Sequence, residues 1–312
     1  MSKIAFVFPG QGSQVVGMAK DCYEQSEHAR QVIEKANEAL QFDLSDIMFN
    51  DPTQVLNKTF NTQPALLTAS VAYLRLVELA GIKADYVAGH SLGEYSALVA
   101  SGVLSFEDAV KIVRKRGQFM ESAVPNGQGA MAAVLGAERE ILQAACESIT
   151  ATIASVELAN INCPGQIVVS GTVAGVQAIS EKAKEIGAKR VISLPVSGPF
   201  HSSLMQPAAQ SLANELERVV FQDAKVPVIA NVTAKPTQSA DTLKSLLIDQ
   251  VCAPVLWQDS IETLIELGVD TFIEIGSGSV LSGLIKKINR DVKVITVNSF
   301  ESAQALTVSS SN

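Results

Sequence analysis

The sequence predicts an α/β protein whose main domain is interrupted by a smaller one. Apolar runs of strand length alternate with helical periodicities through most of the 312 residues, which is the pattern of a parallel sheet with helices on its faces. Between residues 128 and 196 the order becomes β-α-β-β-α-β, a ferredoxin-like unit that is complete in itself. We therefore expect a doubly wound core at residues 1–127 and 197–312, with a ferredoxin-like insertion at residues 128–196.

The predicted strands of the core are mainly apolar runs, and the first of them is apolar without interruption. Such runs are typical of strands buried on both faces. They cover residues 4–8, 86–88, 226–232, 271–275 and 292–297. Residues 21–80 predict helices that are interrupted near Pro52 and restart near Pro64, and the tail at residues 308–312 is expected to fray.

Within the insertion, strand and helix signals follow one another at short intervals. The predicted strands cover residues 129–136, 156–162, 166–171 and 189–196. The predicted helices cover residues 138–148 and 173–187. The two middle strands are joined at Cys163-Pro164-Gly165, which favours a turn.

The composition indicates a globular protein with reduced thiols. A hydrophobic content of 47% supplies an ample core, and the net charge of -8 argues against a nucleic acid or an anionic membrane as partner. The four cysteines lack C-x-x-C spacing, so we expect no metal site, no disulfide framework and no cofactor. Neither a signal segment nor an apolar stretch of membrane-spanning length is recognisable. We therefore expect a cytoplasmic protein.

The strongest local signal is the G-x-S-x-G pattern at residues 89–93, placed between a predicted strand and a predicted helix. In a nucleophile elbow the serine occupies a sharp strand-to-helix turn, so the flanking residues must be small, and the helix presents its positive end to the hydroxyl. Ser91 is therefore the candidate nucleophile. The alternative is a glycine-rich turn with an ordinary serine.

A serine nucleophile needs a base, and the sequence contains three histidines. His28 lies among charged and polar residues, as on a solvated helix face, and His90 must point away from the Ser91 hydroxyl around the tight turn. His201 follows a predicted strand in a loop at the appropriate sheet edge. A neutral imidazole there can accept the Ser91 proton and return it to a leaving thiol.

Two further residues are candidates for binding. Gln11 lies at the tip of a glycine-rich turn after the first strand, where backbone N–H groups can approach a ligand; a plain turn is the alternative. Arg116 projects on the flank of the apolar stripe of a helix that begins near Ser105, with Arg114 on the opposite side. A buried guanidinium needs an anion or several acceptors. Either an unseen carboxylate of the protein or the substrate supplies them.

These motifs closely resemble the malonyl-CoA:acyl carrier protein transacylases of fatty-acid synthesis, and the resemblance spans nearly the whole chain. The segments that carry it are Phe-Pro-Gly-Gln-Gly-Ser-Gln at 8–14, Thr-Gln-Pro-Ala-Leu at 62–66, Gly-His-Ser-Leu-Gly-Glu-Tyr-Ser-Ala-Leu at 89–98, Arg-Gly-Gln-Phe-Met at 116–120, Asn-Cys-Pro-Gly-Gln at 162–166 and Pro-Phe-His at 199–201. The resemblance implies an α/β-hydrolase-like core with a ferredoxin-like insertion. It also implies that Ser91 takes malonyl from malonyl-CoA and passes it to the pantetheine thiol of holo acyl carrier protein.

The resemblance assigns roles to individual residues of this chain. It implies an oxyanion hole made by the backbone N–H groups of Gln11 and Leu92, and a backbone carbonyl at Gln250 that orients His201. Arg116 matches the arginine that binds the malonyl carboxylate. Three more positions are expected at the substrate: His90, Asn162 and Phe200.

Two other classes of function remain open at the level of sequence. A serine thioesterase or hydrolase could use the same elbow, although a buried Arg116 gives no advantage with neutral acyl groups. A non-catalytic protein that binds acyl carrier protein could also keep the fold, but it would be free to lose Ser91 or His201.

Overall fold

The computed structural model describes residues 2–309 and shows an α/β fold with one mixed and one antiparallel sheet. The first part of the chain forms β1 (Lys3–Phe8), α1 (Lys20–Gln25), α2 (Glu27–Leu40), α3 (Leu44–Phe49), α4 (Thr59–Leu79), β2 (Tyr86–Gly89), α5 (Gly93–Ala100) and α6 (Phe106–Ser122).

The middle part forms β3 (Gly129–Leu135), α7 (Arg139–Thr152), β4 (Val156–Cys163), β5 (Gln166–Thr172), α8 (Val173–Glu181) and β6 (Arg190–Ser193).

The last part forms a 3₁₀ turn (Ser203–Met205), α9 (Gln206–Leu216), β7 (Val228–Ile229), β8 (Pro236–Thr237), α10 (Ala240–Gln250), α11 (Trp257–Glu266), β9 (Val269–Ile275), α12 (Val280–Ile288), β10 (Lys293–Val297) and α13 (Phe300–Ser309). Of the tail that was expected to fray, residues 310–312 lie outside the described part of the chain, and the helix reaches Ser309.

The larger sheet has the strand order β10-β9-β1-β2-β7-β8, and its pairs are parallel except for β7 with β8. Side chains of β1 alternate between the two faces, as strand geometry requires. Phe6 and Phe8 pack into the core that contains α4, whereas Ala5 and Val7 pack with Trp257 and the helices α11 and α12. Both faces of the sheet are therefore covered, which is why its central strands are mainly apolar.

The smaller sheet has the order β4-β5-β3-β6 and is antiparallel throughout. Helices α7 and α8 pack on it around a separate apolar core that includes Leu142, Ile149 and Ile179. Strand β4 also forms a main-chain hydrogen bond outside the smaller sheet, because the Ile161 N–H donates to the carbonyl of Val255. Main-chain hydrogen bonds thus join β4 to the segment between α10 and α11.

Three elements are shorter than the sequence predicts. The helix predicted at 173–187 ends at Glu181, and the chain continues in turns to Gly187. The apolar run at 226–232 keeps only two residues in the sheet, because the chain turns back at Ala230, whose N–H donates to the Lys235 carbonyl. Asn231 is thereby free to leave the strand. The last strand of the insertion covers only Arg190–Ser193, at the edge of its sheet.

Helix α4 contains a proline and begins earlier than predicted. Pro64 has no N–H for the carbonyl of Phe60 one turn before it. That carbonyl instead accepts a hydrogen bond from Arg114 Nη1 at 2.9 Å, and the guanidinium also lies over the ring of Phe42. Arg114 is therefore half-buried and structural, which corrects its predicted place on the outer side of α6.

Within residues 2–309, no helix is long and apolar enough to cross a membrane. The same residues include no group of three or more metal-ligating side chains close enough to hold an ion.

Candidate active site

The turn that carries Ser91 is possible only with glycine on both sides. Strand β2 ends at Gly89 and α5 begins at Gly93, and Ser91 between them has a φ of 51°, in the left-handed region. A Cβ on Gly89 would lie 1.9 Å from the carbonyl carbon of Gly93, and a Cβ on Gly93 would lie 2.1 Å from the Phe8 carbonyl oxygen. The Ser91 N–H donates to Asn231 Oδ1 at 2.7 Å, which holds the strained turn.

Ser91 and His201 form a hydrogen-bonded pair. The Ser91 Oγ lies 2.7 Å from His201 Nε2, and His201 Nδ1 lies 2.8 Å from the backbone carbonyl of Gln250. Since a carbonyl can only accept, Nδ1 carries the proton and the lone pair of Nε2 faces the hydroxyl. Burial, with the nearby Arg116 cation, lowers the pKa of His201 to about 3. The imidazole is therefore neutral at pH 7 and can act as a base.

Arg116 brings a positive charge to the same point while being only 1% exposed. Its Nη1 donates to Gln63 Oε1 at 2.8 Å, and its Nη2 donates to Gln250 Oε1 at 2.9 Å and to Ser91 Oγ at 3.3 Å. No ion pair joins it to a carboxylate among residues 2–309. Neutral amide oxygens orient the guanidinium, and no carboxylate is bonded to it directly.

Two backbone N–H groups border the nucleophile. Leu92 follows Ser91 at the start of α5, and Gln11 lies on the turn after β1; both line the same cavity as Ser91. Within the described part of the chain, neither N–H has a hydrogen-bond acceptor. Both are thus available to an oxygen that develops negative charge beside Ser91.

The cavity at Ser91 has a volume of about 110 Å³. Its polar side contains Ser91, Arg116 and His201. The apolar side is formed by Met120, Met131, Leu194, Val196 and Phe200. Because Met131 lies on β3 and Asn160 on β4, residues 128–196 supply one wall of the cavity.

His90 does not face the Ser91 hydroxyl, as the turn geometry predicted. Its Nε2 lies 2.8 Å from Asn162 Oδ1, and its ring lies against Trp257. Burial lowers the pKa of His90, so the ring is neutral and its Nε2 proton donates to Asn162. The two residues line a second cavity of about 290 Å³, which also contains Gln166, reaches α12, and shares Gln11 and His90 with the cavity at Ser91.

The structure brings together all the residues predicted for the site and adds three that sequence reasoning missed. Gln63 holds Arg116, Asn231 holds the Ser91 turn, and Glu94 accepts from Asn231 and Gln250 beneath that turn. Glu94 carried a signal in the sequence, because it is the one charged residue of α5. Gln63 lies within one of the recognised motifs, whereas Asn231 only interrupts an apolar run.

Comparison with known proteins agrees with this geometry. The acyl transferase domain family matches residues 5–304. The malonyl CoA-acyl carrier protein transacylase of Bacillus subtilis (strain 168) is 54% identical over 304 residues, covering 97% of this chain and 96% of its own.

Solved structures give the same result. A malonyl CoA-acyl carrier protein transacylase from Clostridium perfringens superposes with a TM-score of 0.95 at 44% identity, covering 99% of this chain and 97% of its own. A malonyl-transacylase in complex with a type II PKS acyl-carrier protein superposes with a TM-score of 0.95 at 40% identity, covering 99% of this chain and 100% of its own.

The chain is therefore an acyl transferase by its family match and its fold. Within that class, the chain belongs to the malonyl-CoA:acyl carrier protein transacylase family, which confirms the resemblance seen in its motifs.

Proposed function

We propose that this chain transfers malonyl from malonyl-CoA, through an ester on Ser91, to the pantetheine thiol of holo acyl carrier protein in fatty-acid synthesis. The observation that carries the proposal is the pairing of a base-activated serine with a buried arginine to which no carboxylate is directly bonded. A nucleophile alone serves many acyl groups. A free cation 3.3 Å from it favours an acyl group that ends in a carboxylate.

In the first half-reaction, Ser91 Oγ attacks the thioester carbonyl of malonyl-CoA while its proton passes to His201 Nε2. The Gln250 carbonyl accepts from Nδ1 and so stabilises the imidazolium that forms. The tetrahedral oxyanion accepts from the N–H groups of Gln11 and Leu92. When it collapses, the carbon–sulfur bond breaks, and His201 returns the proton to the coenzyme A thiolate.

In the second half-reaction, the pantetheine thiol of the carrier protein attacks the Ser91 ester. His201 takes the thiol proton and delivers it to Ser91 Oγ as the carbon–oxygen bond breaks. Because coenzyme A leaves before acyl carrier protein binds, the kinetics are ping-pong. The same base and the same two N–H groups serve both half-reactions. Because the Gln250 carbonyl accepts from His201 Nδ1, the site does not require a carboxylate as the third member of a catalytic triad.

The remaining residues position the substrate. Arg116 binds the malonyl carboxylate by a charge-assisted pair, and Phe200 closes the apolar side of the small cavity against bulkier groups. His90 and Asn162 face the second cavity, which we assign to the pantetheine arm that both substrates share.

We also propose domain assignments. Residues 1–127 and 197–312 form an α/β-hydrolase-like, doubly wound core, which the covered parallel strands and the Ser91 turn support. Residues 128–196 form a ferredoxin-like insertion, which the β-α-β-β-α-β order and the strand order β4-β5-β3-β6 support. The reduced cysteines support a cytoplasmic location.

Mass spectrometry after mixing with malonyl-CoA tests the proposal. We expect a stable malonyl adduct that disappears when holo acyl carrier protein is added, and no adduct with Ser91→Ala. Ser96→Ala is the matched control, because it removes a buried hydroxyl from α5, the helix that follows the Ser91 turn. Rapid return to free enzyme without carrier protein would indicate a hydrolase, no adduct would indicate a binding protein, and an adduct on Ser91→Ala would exclude Ser91 as nucleophile.

A further inference from the structure

A buried acid lies directly beneath the nucleophile turn. Glu94 begins the first turn of α5 and is 1% exposed. Its Oε2 accepts from the Asn231 N–H at 2.9 Å and from Gln250 Nε2 at 2.9 Å. Its Oε1 has no hydrogen-bond partner within residues 2–309. A proton could therefore bind at Oε1 without breaking either bond.

The side-chain amide of Gln250 connects this acid to Arg116. Its Nε2 donates to Glu94, and its Oε1 accepts from Arg116 Nη2 at 2.9 Å. Only this orientation works, because a flipped amide would place N–H groups against the guanidinium and an oxygen against the carboxylate. Hydrogen bonds in such a chain polarise one another, so a negative Glu94 strengthens the hold of Gln250 on Arg116.

The charges in this chain balance only while the site is empty of acyl group. With Glu94 ionised, one buried anion and one buried cation are joined through a neutral amide. A malonyl carboxylate that pairs with Arg116 would bring a second anion into the same low-dielectric region. One of the two carboxylates must then become less stable, and Glu94 is the one with an unpartnered oxygen.

We propose that Glu94 is a positioning residue that balances the charge of Arg116 through the Gln250 amide in the free enzyme, and that it takes up a proton when the malonyl carboxylate pairs with Arg116. The inference rests on the proposed function, because it requires a substrate carboxylate at Arg116. By linkage, malonyl loading then weakens as the pH rises and Glu94 becomes harder to protonate.

The surroundings of Glu94 agree with a proton that moves near neutral pH. Burial raises the pKa of Glu94 to about 7, while its two hydrogen bonds and the charge of Arg116 act in the opposite direction. Tyr95 is neutral because burial raises its pKa, and His90 and His201 are neutral because burial lowers theirs.

Helix α4 and strands β1 and β2 also contact α5, and none of their described residues is both buried and charged. Arg116 on α6 is therefore the charge to which Glu94 responds.

Stopped-flow mixing with a pH indicator in weak buffer tests the proposal on the wild-type enzyme. Loading with malonyl-CoA near pH 7 should consume about half a proton per acylated site, as a half-ionised Glu94 becomes protonated. Acetyl-CoA is the control, because it releases the same thiol and leaves an acyl group without a carboxylate. Equal proton changes for equal amounts of malonyl and acetyl enzyme would overturn the proposal.

Glu94→Gln should abolish the difference in proton uptake between malonyl-CoA and acetyl-CoA. The KM for malonyl-CoA, which in the wild type should rise above pH of about 7, should no longer do so in this variant, and kcat should be unaffected by that titration. Glu274→Gln is the matched control: Glu274 is another buried acid with a raised pKa, but it bonds to Leu281 and Ser282 instead of the site. It should leave both quantities unchanged.

The outcomes separate this inference from the proposed function. If mass spectrometry shows malonyl on Ser91 without malonyl-specific proton uptake, Glu94 does not respond to the substrate and only this inference fails. Persistence of the uptake in Glu94→Gln would assign the proton to another group and overturn it as well. If no malonyl adduct forms on the wild type, the proposed function itself fails.

Discussion

Replacing Arg116 by alanine should convert a malonyl-selective enzyme into an unselective one. The guanidinium is 1% exposed, is held by Gln63 and Gln250, and reaches Ser91 Oγ at 3.3 Å, so the malonyl carboxylate meets it in a nearly dry site. Removing one partner of a buried charge pair costs about 2 to 5 kcal/mol. The specificity constant for malonyl-CoA should therefore fall by about 30-fold to several thousand-fold.

The assay compares kcat/KM for malonyl-CoA and acetyl-CoA in the wild type and in Arg116→Ala. Acetyl has no carboxylate to leave unpaired, so its transfer should fall much less or rise. Arg114→Ala is the matched control, because it removes a neighbouring structural guanidinium from the same helix. It should leave the ratio of the two specificity constants unchanged. Equal proportional losses for both substrates in Arg116→Ala would show that Arg116 only supports the cavity.

Three further predictions concern the base, the turn and the carrier protein. Since burial and the charge of Arg116 lower the pKa of His201 to about 3, the single-turnover acylation rate at saturating acetyl-CoA, which leaves Arg116 unpaired, should stay level from pH of about 7 to about 5, whereas a fall centred near 6.5 would contradict a neutral buried base. Gly89→Ala should lower the free energy of unfolding by about 1 to 3 kcal/mol in denaturant titrations; Gly283→Ala, with open space around its Cβ, should not destabilise. Charge reversal at the exposed Lys287 and Arg290, beyond the second cavity, should raise the KM for an acidic carrier protein at low salt; an unchanged KM would exclude that surface.

The lowered pKa of His201 also determines the pH range in which this residue reduces the stability of the folded protein. In the unfolded chain an ordinary histidine binds a proton below about 6.5, whereas the folded protein keeps His201 neutral down to about 3. Between these values the unfolded state binds more protons, so the contribution of His201 to stability is lost as the pH falls. His201→Gln should therefore flatten part of the acid limb of a stability profile measured by thermal unfolding.

Local patterns in the sequence were sufficient for much of the fold and for the nucleophile. Mainly apolar runs predicted β1, β2, β9 and β10 within two residues at each end, because strands of a sheet covered on both faces are rich in apolar residues. The G-x-S-x-G pattern predicted the turn at Ser91, since its geometry tolerates only glycine at the flanks. The run at 226–232 was overestimated, because apolarity does not show where a chain leaves a sheet.

The contacts that give these residues their properties could not be predicted from neighbours in the sequence. Asn231, which holds the Ser91 N–H, is 140 residues away from it, and Gln250 is 134 residues away from Arg116. The sequence identified His201 as a base, but its neutral state depends on burial and on the charge of Arg116. Only the folded arrangement determines the protonation state of this base.

Gln250 explains why these groups act together. Its backbone carbonyl accepts from His201 Nδ1, its side-chain oxygen accepts from Arg116, and its Nε2 donates to the Ser91 carbonyl at 3.1 Å and to Glu94. One residue thus fixes the base, the cation and the nucleophile turn relative to each other, so catalysis and carboxylate binding share a single support. Replacing Gln250 would disturb all of them at once and could not separate their roles. The variants at Arg116 and Glu94 change the two ends of the hydrogen-bond chain through Gln250 one at a time. They can therefore test separately whether Arg116 binds the malonyl carboxylate and whether Glu94 takes up the proton.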